Sequence, residues 1–347
     1  MSKLKYLLVY TLPLITAFAF TNDGAWSWAT VIYAFGILPI LDHVFRPNTQ
    51  NLSPQAAQSA LASWFYDLVL YLVFPVQIAF TFYFILVVAK SDLSTANLIG
   101  KTLSMGTMAS VLAINVAHEI GHRPGKSNKF ISKALYASVL YSHFYEEHNY
   151  GHHRNVATID DPATARRGEW FYLFVFRSII FGWIGAFKYE KTRLNRLGKS
   201  AFSFKNEVLI WQLLQLLILV VIGGLISLKV LGLFMLSSLM SVVILEAINY
   251  IEHYGLTRNK VSEFRYEKVN PTHSWNANYV LGRAILFELT RHSDHHETPS
   301  KPFQILESPG GTPELPTGYP GMILLSLVPP LFFAVMNKRL DKWCKTS

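Results

Sequence analysis

Six long apolar stretches constrain this chain more than any other feature of its sequence. A helix needs roughly 20 apolar residues to cross about 30 Å of hydrocarbon, and such stretches are rare in soluble domains. They run from Tyr6 to Thr21, Trp26 to Leu41, Asp67 to Val88, Asn97 to Ala117, Glu207 to Leu228 and Leu231 to Ile251. Only 15% of the 347 residues are charged, whereas about a quarter are charged in a typical soluble domain. We therefore predict an all-α membrane protein, a single membrane-embedded domain over residues 1–347 with six transmembrane helices.

Two further apolar runs are almost long enough to cross, from Trp170 to Phe187 and from Gly321 to Met336. The first carries Arg177 at its middle, where a charge is costly in lipid, and the second contains Pro329 and Pro330. Both are expected to be helices that lie in the membrane interface. The apolar N-terminus lacks a convincing cleavage site and is expected to be a retained anchor.

The basic residues are distributed unevenly between the predicted loops. If the N-terminus lies in the cytoplasm, that side holds Lys3, Lys5, Arg46, fourteen Lys and Arg between His118 and Lys205, and eleven after His253. The opposite side keeps only Lys90 and Lys229, with Lys101 reaching it from the fourth helix. This asymmetry is what the positive-inside tendency predicts. The net charge of +9 thus indicates orientation in a bacterial inner membrane and attraction to acidic lipid, and we expect no nucleic-acid partner.

A single cysteine, Cys344, limits the redox chemistry of the chain. One thiol forms no intrachain disulfide, and iron–sulfur or rubredoxin-type centres need several thiolates. Electrons for any redox reaction must therefore come from a separate protein.

Nine of the twelve histidines fall into four clusters near the predicted cytoplasmic ends of the helices. They are His118 and His122 in HEIGH, His148, His152 and His153 in EEHNYGHHR, His253 in NYIEHYGL, and His292, His295 and His296 in RHSDHH. Residues four apart share one face of a helix. Each of the pairs His118/His122, His148/His152 and His292/His296 is therefore expected to face one metal, with the adjacent histidines reaching a second. Provided that the Trp170–Phe187 run does not cross, all four clusters converge on the cytoplasmic side.

Nine neutral imidazoles suit two irons with four or five ligands each, which leaves a position for dioxygen. Acidic residues next to the ligands are expected to accept hydrogen bonds from the imidazole nitrogens that do not bind metal. These second-shell candidates are Glu119, Glu147, Glu252 and Asp294, with His273 as a further participant and direct ligation by one carboxylate left open. His43 and His143 are expected to be structural.

HEIGH also matches the H-E-x-x-H motif of zinc proteases, in which Glu119 would be the general base. Such a site needs three protein ligands and a water. It does not account for the other clustered histidines, so it remains the weaker alternative.

The chain resembles the integral-membrane alkane 1-monooxygenases, within the fatty acid desaturase and hydroxylase superfamily. The resemblance rests on HEIGHR, EHNYGHHRNVATIDDPATAR, NYIEHYGL, HSWNAN, RHSDHH and LPTGYPG, in that order along the chain. It implies a six-helix bundle with a cytoplasmic di-iron site ligated by the nine histidines. It also implies hydroxylation of the terminal methyl of alkanes with dioxygen, using electrons from rubredoxin, rubredoxin reductase and NADH.

Alkane length is expected to be selected in an apolar channel between the helices. Tyr33, Ala34 and Gly36 in the second span are candidates for its wall, since relatives carry a bulky residue near this point; helix packing is the alternative explanation for the two small residues. Methyl-aromatic, terpene and fatty acyl substrates remain open alternatives.

Overall fold

The computed structural model describes residues 3–346 apart from Ser91 and Phe264, and it is predominantly helical. Within these residues, six helices are long and apolar enough to cross a membrane. They are α1 (Lys3–Thr21), α2 (Gly24–Val44), α4 (Trp64–Val88), α8 (Phe171–Arg196), α9 (Glu207–Ile226) and α10 (Leu228–His253). Five of them coincide with predicted spans, and α8 contains the run predicted to be interfacial.

The remaining elements connect these helices. They are α3 (Pro54–Leu61), α5 (95–121), α6 (Lys126–Ala137), α7 (144–155), α11 (Val280–Ile285), α12 (His292–Glu297), α13 (Tyr319–Ser326), α14 (Pro329–Thr346), 3₁₀ turns at Pro271–His273 and Phe303–Ile305, and strands β1 (Lys260–Ser262) and β2 (Arg265–Tyr266). The two strands pair antiparallel. Four helices contain a π-helical stretch, at Tyr33–Ile37, Ser110–Asn115, His148–His152 and Ile222–Ile226.

Helix α5 contains the predicted fourth span, although it is too polar to stand among the six apolar helices. Its C-terminal end returns to the start of α4, where Arg123 forms an ion pair of 2.6 Å with Asp67 and the Tyr71 hydroxyl donates to Asn128 at 2.7 Å. Helix α5 therefore runs antiparallel to α4. Its polar residues face protein rather than lipid: Lys101 is 1% exposed.

Two contacts explain the polarity of α5. The Lys101 ammonium donates to the carbonyls of Ala19, Phe20 and Asn22 at 2.6–3.1 Å, which satisfies free carbonyls at the end of α1. At Gly106, an added Cβ would lie 2.6 Å from the Ser237 carbonyl oxygen of α10, so glycine permits close contact between the helices. Lys101 thus caps α1, and its ammonium also pairs at 3.0 Å with the exposed Asp23 in the turn between α1 and α2.

Helix α8 has both of its ends at the same end of the bundle. At its start, the Tyr250 hydroxyl of α10 donates to the Glu169 carbonyl at 2.6 Å. Near its other end, the Glu207 backbone N–H, at the first residue of α9, donates to Glu190 at 2.7 Å. The last turn of α10 and the first turn of α9 are adjacent ends of one helical hairpin. This is the arrangement of a helix along the membrane surface. Two crossings, α9 and α10, then remain between His153 and His253, so these histidines lie on the same side.

Candidate metal centre

All nine clustered histidines meet at one end of the bundle, where they form two groups. His118, His122, His148, His153 and His295 form the first group, and His152, His253, His292 and His296 form the second. Within each group, the nearest ring nitrogens all lie within 4.8 Å of one another. The two groups adjoin, because the ring centroids of His153 and His296 are 4.5 Å apart. These are the nine residues that the sequence predicts as ligands.

The first group has the spacing of nitrogen ligands around one ion. Nε2 of His122 lies 3.3 Å from Nε2 of His118 and 3.2 Å from Nε2 of His153. Nε2 of His153 lies 2.9 Å from Nε2 of His148. Two nitrogens bound about 2.1 Å from an ion, at a right angle, are about 3.0 Å apart. The fifth member, His295, has a buried Nε2 without a hydrogen-bond partner among the described residues.

The second group has the same spacing. Nε2 of His292 lies 3.1 Å from Nε2 of His253 and 2.9 Å from Nε2 of His296. Nε2 of His152 is buried and accepts or donates no hydrogen bond within the described part of the chain. Burial, reinforced by neighbouring histidines, places the pKa of His296 well below its usual value. Each group therefore gathers nitrogen donors that fit a metal ion better than they fit one another.

A π-helical turn divides the middle cluster differently from the predicted pairing. His148 shares its group with His153, five residues on, whereas His152 joins the other group. The residues from His148 to His152 form a π-helix, in which hydrogen bonds join residues five apart. The prediction that His148 and His152 face one metal is therefore wrong. The pairs His118/His122 and His292/His296 do share a group, as predicted.

Asp161 orients one of the ligands, and the sequence analysis missed it. Its Oδ2 lies 2.9 Å from Nδ1 of His152 and accepts the Thr164 hydroxyl at 2.5 Å, and the carboxylate is fully buried. This contact leaves Nε2 of His152 directed at the second group, as a carboxylate behind a metal ligand does. Asp161 is nine residues from its histidine, in the IDDP segment, so adjacency to a ligand did not reveal it.

Two of the predicted acidic partners hold other groups instead. Glu119 pairs with Arg123 at 3.3 Å and accepts the Phe303 backbone N–H. Asp294 pairs with Lys301 at 2.8 Å and accepts the Glu307 backbone N–H. Both carboxylates fix the backbone around the histidines rather than the imidazoles. Glu119 is thereby engaged away from its neighbouring histidines, which argues against a zinc-protease arrangement.

Glu252 contacts a histidine, whereas the side chain of Glu147 lies against Gly182 and Gly185 of α8. Oε2 of Glu252 is 3.1 Å from Nε2 of His292, the nitrogen that faces the rest of its group, and Oε1 accepts the Tyr319 hydroxyl at 2.6 Å. Glu252 therefore lies beside the imidazole nitrogens that face the centre of the group, and not behind a ring on its other nitrogen. Burial, with the charge of Asp161, raises the pKa of Glu147 to about 8.

The other three histidines lie outside both groups. The ring of His273 accepts the Asn270 backbone N–H at 3.1 Å, while its carbonyl oxygen lies 3.5 Å from Nδ1 of His253. His143 is buried against Tyr141, and His43 is exposed.

Two adjoining cavities lie between the interior of the bundle and the histidines. The first has a volume of about 60 Å³ and the second of about 20 Å³. The apolar wall of the first includes Ala34, Phe35, Leu38, Val111, Ile244 and Ile323. The second is bordered by His118, His148, His292 and Glu252. Ser110 and Ile248 border both cavities, so they lie between the apolar chamber and the cavity at the candidate metal centre, a position called the neck below.

Of the three predicted channel residues, only Ala34 borders the chamber. The Tyr33 hydroxyl lies 3.0 Å from that of Thr11. At Gly36, an added Cβ would meet only a methyl group of Ile32, at 3.8 Å. Phe35, Leu38 and Asp42, which were not predicted from the sequence, are the other α2 residues at the chamber wall.

Comparisons with known proteins agree with this geometry. Residues 93–308 match the family model described as fatty acid desaturase. The chain is 36% identical over 323 residues to alkane 1-monooxygenase of Ectopseudomonas oleovorans, covering 93% of this chain and 80% of the relative. It is 37% identical over 325 residues to alkane 1-monooxygenase 1 of Pseudomonas aeruginosa, covering 92% and 84%. It is also 27% identical over 362 residues to the xylene/toluene monooxygenase hydroxylase component of Pseudomonas putida, covering 99% and 90%.

The six apolar helices, the nine convergent histidines and these relatives lead to one assignment. The chain is a membrane monooxygenase of the fatty acid desaturase family and belongs, within it, to the alkane 1-monooxygenases.

Proposed function

We propose that this protein is a non-haem di-iron monooxygenase that hydroxylates the terminal methyl group of alkanes to primary alcohols. The observation that carries the proposal is the apolar chamber that adjoins, at Ser110 and Ile248, a second cavity bordered by histidines of both groups. An alkane offers no polar group to bind, so an apolar wall and a fixed distance to the metals are the means of selecting one.

The nine histidines of the two groups would hold the irons, and Glu252 lies where it could add an oxygen donor to the second. Bound irons would offer open positions for dioxygen activation and would pass on the electrons that a separate donor delivers. The side chains themselves orient the metal ligands and enclose the substrate. Asp161 fixes the ring of His152, Tyr319 fixes Glu252, and apolar residues around the neck exclude water from the reacting methyl group.

Two measurements test this function. Purified protein should contain two irons and no stoichiometric zinc per chain, and cells that express it should convert n-alkanes to 1-alkanols when a suitable electron donor is present. A wild-type protein with one zinc and peptidase activity would contradict the proposal. Oxygen from ¹⁸O₂ should appear in the alcohol, and label from H₂¹⁸O should not.

Methyl-aromatic compounds are the second candidate substrates. The 27% identity to the hydroxylase component of a xylene/toluene monooxygenase extends over 99% of this chain, and xylene and toluene are methyl-aromatic compounds. Feeding n-alkanes of several lengths and a xylene to the same cells separates the candidates, since only a methyl-aromatic enzyme would favour the xylene.

We further propose that rubredoxin, reduced by NADH through rubredoxin reductase, donates the electrons on the cytoplasmic side of a bacterial inner membrane. The support is the single cysteine of the chain and the basic surface near the histidines. Arg154 and Arg166 are exposed there, whereas Arg167 pairs with Asp341 and Lys301 pairs with two carboxylates. Turnover with an acidic rubredoxin should weaken as salt rises; turnover that is independent of salt would argue against electrostatic docking.

A further inference from the structure

Asp42 is a buried carboxylate at the wall of the apolar chamber, and nothing in the reaction with an alkane uses it. Asp42 is 1% exposed and borders the chamber. No side chain among the described residues donates a hydrogen bond to either of its carboxylate oxygens, and a backbone N–H, that of Gly282, lies beside the carboxylate. One backbone donor does not satisfy a buried carboxylate, which can accept several hydrogen bonds, so the position calls for a ligand or a structural reason.

The backbone is shaped to hold this carboxylate. An added Cβ at Gly318 would lie 2.2 Å from Oδ2 of Asp42, and one at Gly282 would lie 4.0 Å from the same atom. Gly318 has an ordinary backbone angle, φ −62°, so a side chain at this position is excluded by space and not by conformation. The carboxylate therefore occupies room that a side chain at position 318 would otherwise fill.

The other polar groups of the chamber differ from Asp42 in their partners or in their chemistry. The Ser110 hydroxyl donates to the Thr107 carbonyl at 2.8 Å, and the Tyr319 hydroxyl donates to Glu252. The Thr107 hydroxyl is unpartnered, but it is neutral and can donate as well as accept. Asp42 is thus the strongest hydrogen-bond acceptor among the described residues that border the chamber.

We propose that Asp42 binds the hydroxyl group of a primary alkanol whose chain lies in the chamber and whose methyl end points through the neck to the histidines. This inference rests on the proposed function and extends its substrate class from alkanes to 1-alkanols. The reaction is the same as before. The terminal methyl group of the alkanol gains one oxygen atom of dioxygen to give an α,ω-diol, and the other oxygen atom leaves as water after uptake of two electrons and two protons.

The carboxylate of Asp42 should favour an alkanol over the alkane and the fatty acid of the same length. An alkane has no donor for the carboxylate, and a fatty acid would bring a second carboxylate next to it. A hydroxyl group donates one hydrogen bond to a charged acceptor, which is stronger than a bond to a neutral one. The preference should therefore run from the alkanol through the alkane to the acid of the same length.

The test compares the alkanol and the alkane of one length in purified protein with its electron donor. We expect Asp42→Leu to lower the ratio of kcat/KM for the alkanol to that for the alkane at least tenfold. Asp42→Asn, which keeps an acceptor oxygen, should lower the ratio by a smaller factor. Thr107→Val removes the other unpartnered polar group and should change the ratio less than twofold. Equal ratios in wild type and Asp42→Leu would overturn the inference, as would a loss of preference in Thr107→Val alone.

A binding measurement keeps the inference separate from the proposed function. The alkanol should raise the unfolding temperature of the detergent-solubilised wild-type protein more than the alkane does, and Asp42→Leu should remove that difference. If neither the alkanol nor the alkane is oxidised but the difference in unfolding temperature holds, the proposed function fails and the alkanol site stands. If alkanes are oxidised and the alkanol gives no additional stabilisation, the alkanol site fails. If Asp42 merely supports the fold, its variants will unfold at lower temperature with the ratio unchanged, which also refutes the site.

Discussion

Replacing Ala34 with tryptophan should shorten the longest alkane that the enzyme oxidises. Ala34 is 9% exposed and borders the chamber of about 60 Å³, together with the wall residues Phe35 and Leu38. An indole ring at this position enters space that the far end of a long alkane would otherwise occupy. Chains short enough to end before the ring should be unaffected.

The size of the effect follows from the apolar surface of the alkane that is no longer buried in the chamber. Burial of one methylene group contributes about 0.8 kcal/mol, which is about a fourfold change in affinity at room temperature. A chain that must withdraw its last four methylene groups from the chamber loses about 3 kcal/mol. Its kcat/KM should then fall about 200-fold, while that of a chain shorter by four carbons stays within a few-fold.

The assay is competition between n-alkanes of even lengths, with 1-alkanols measured by gas chromatography. Gly36→Phe is a matched control on the same helix, since the structure places Gly36 outside the chamber wall. We expect Ala34→Trp to move the product profile toward shorter alcohols and Gly36→Phe to leave it as in wild type. A profile that moves in the control, or that stays unchanged in Ala34→Trp, would show that the chamber does not hold the alkane.

Three further predictions concern the metal centre. Asp161→Asn should weaken metal retention about 10- to 100-fold, because His152 loses the carboxylate that orients it; retention after a chelator challenge measures this, and the exposed Asp160→Asn is the control that should not respond. His253→Ala should lower the iron content of the inserted protein from about two to about one per chain, whereas His143→Ala, outside both groups, should keep two; equal contents would remove His253 from the ligand set. Glu252→Gln should change the Mössbauer spectrum of one iron and spare the other, and a spectrum identical to that of wild type would show that this carboxylate touches neither.

The membrane bundle could be read from the sequence because lipid imposes a length and a composition on every exposed span. Hydropathy alone misleads where lipid is not the neighbour, and the predictions there depended also on the charge of Arg177 and on the convergence of the histidines. Helix α5 is enclosed by other helices, so it can carry Lys101 and still run alongside α4, while α8 is apolar enough to cross but has both ends on one side. The decisive observations were contacts between distant residues, such as Tyr250 with Glu169, which hydropathy does not contain.

The candidate ligands were predictable for a related reason, since an ion needs several donors and helical spacing brings donors four apart to one face. The prediction from spacing holds for an α-helix. It paired His148 with His152 wrongly because the chain forms a π-helical turn there. The supporting residues were harder to predict, because a carboxylate behind a ligand need only be near in space. Asp161 is nine residues from His152, whereas Glu119 and Asp294 adjoin ligands and bind elsewhere. Adjacency in sequence therefore selects ligands better than it selects the groups that orient them. In the same way, Ala34 faces the chamber while Gly36 does not, because residues two apart do not share a face of a helix.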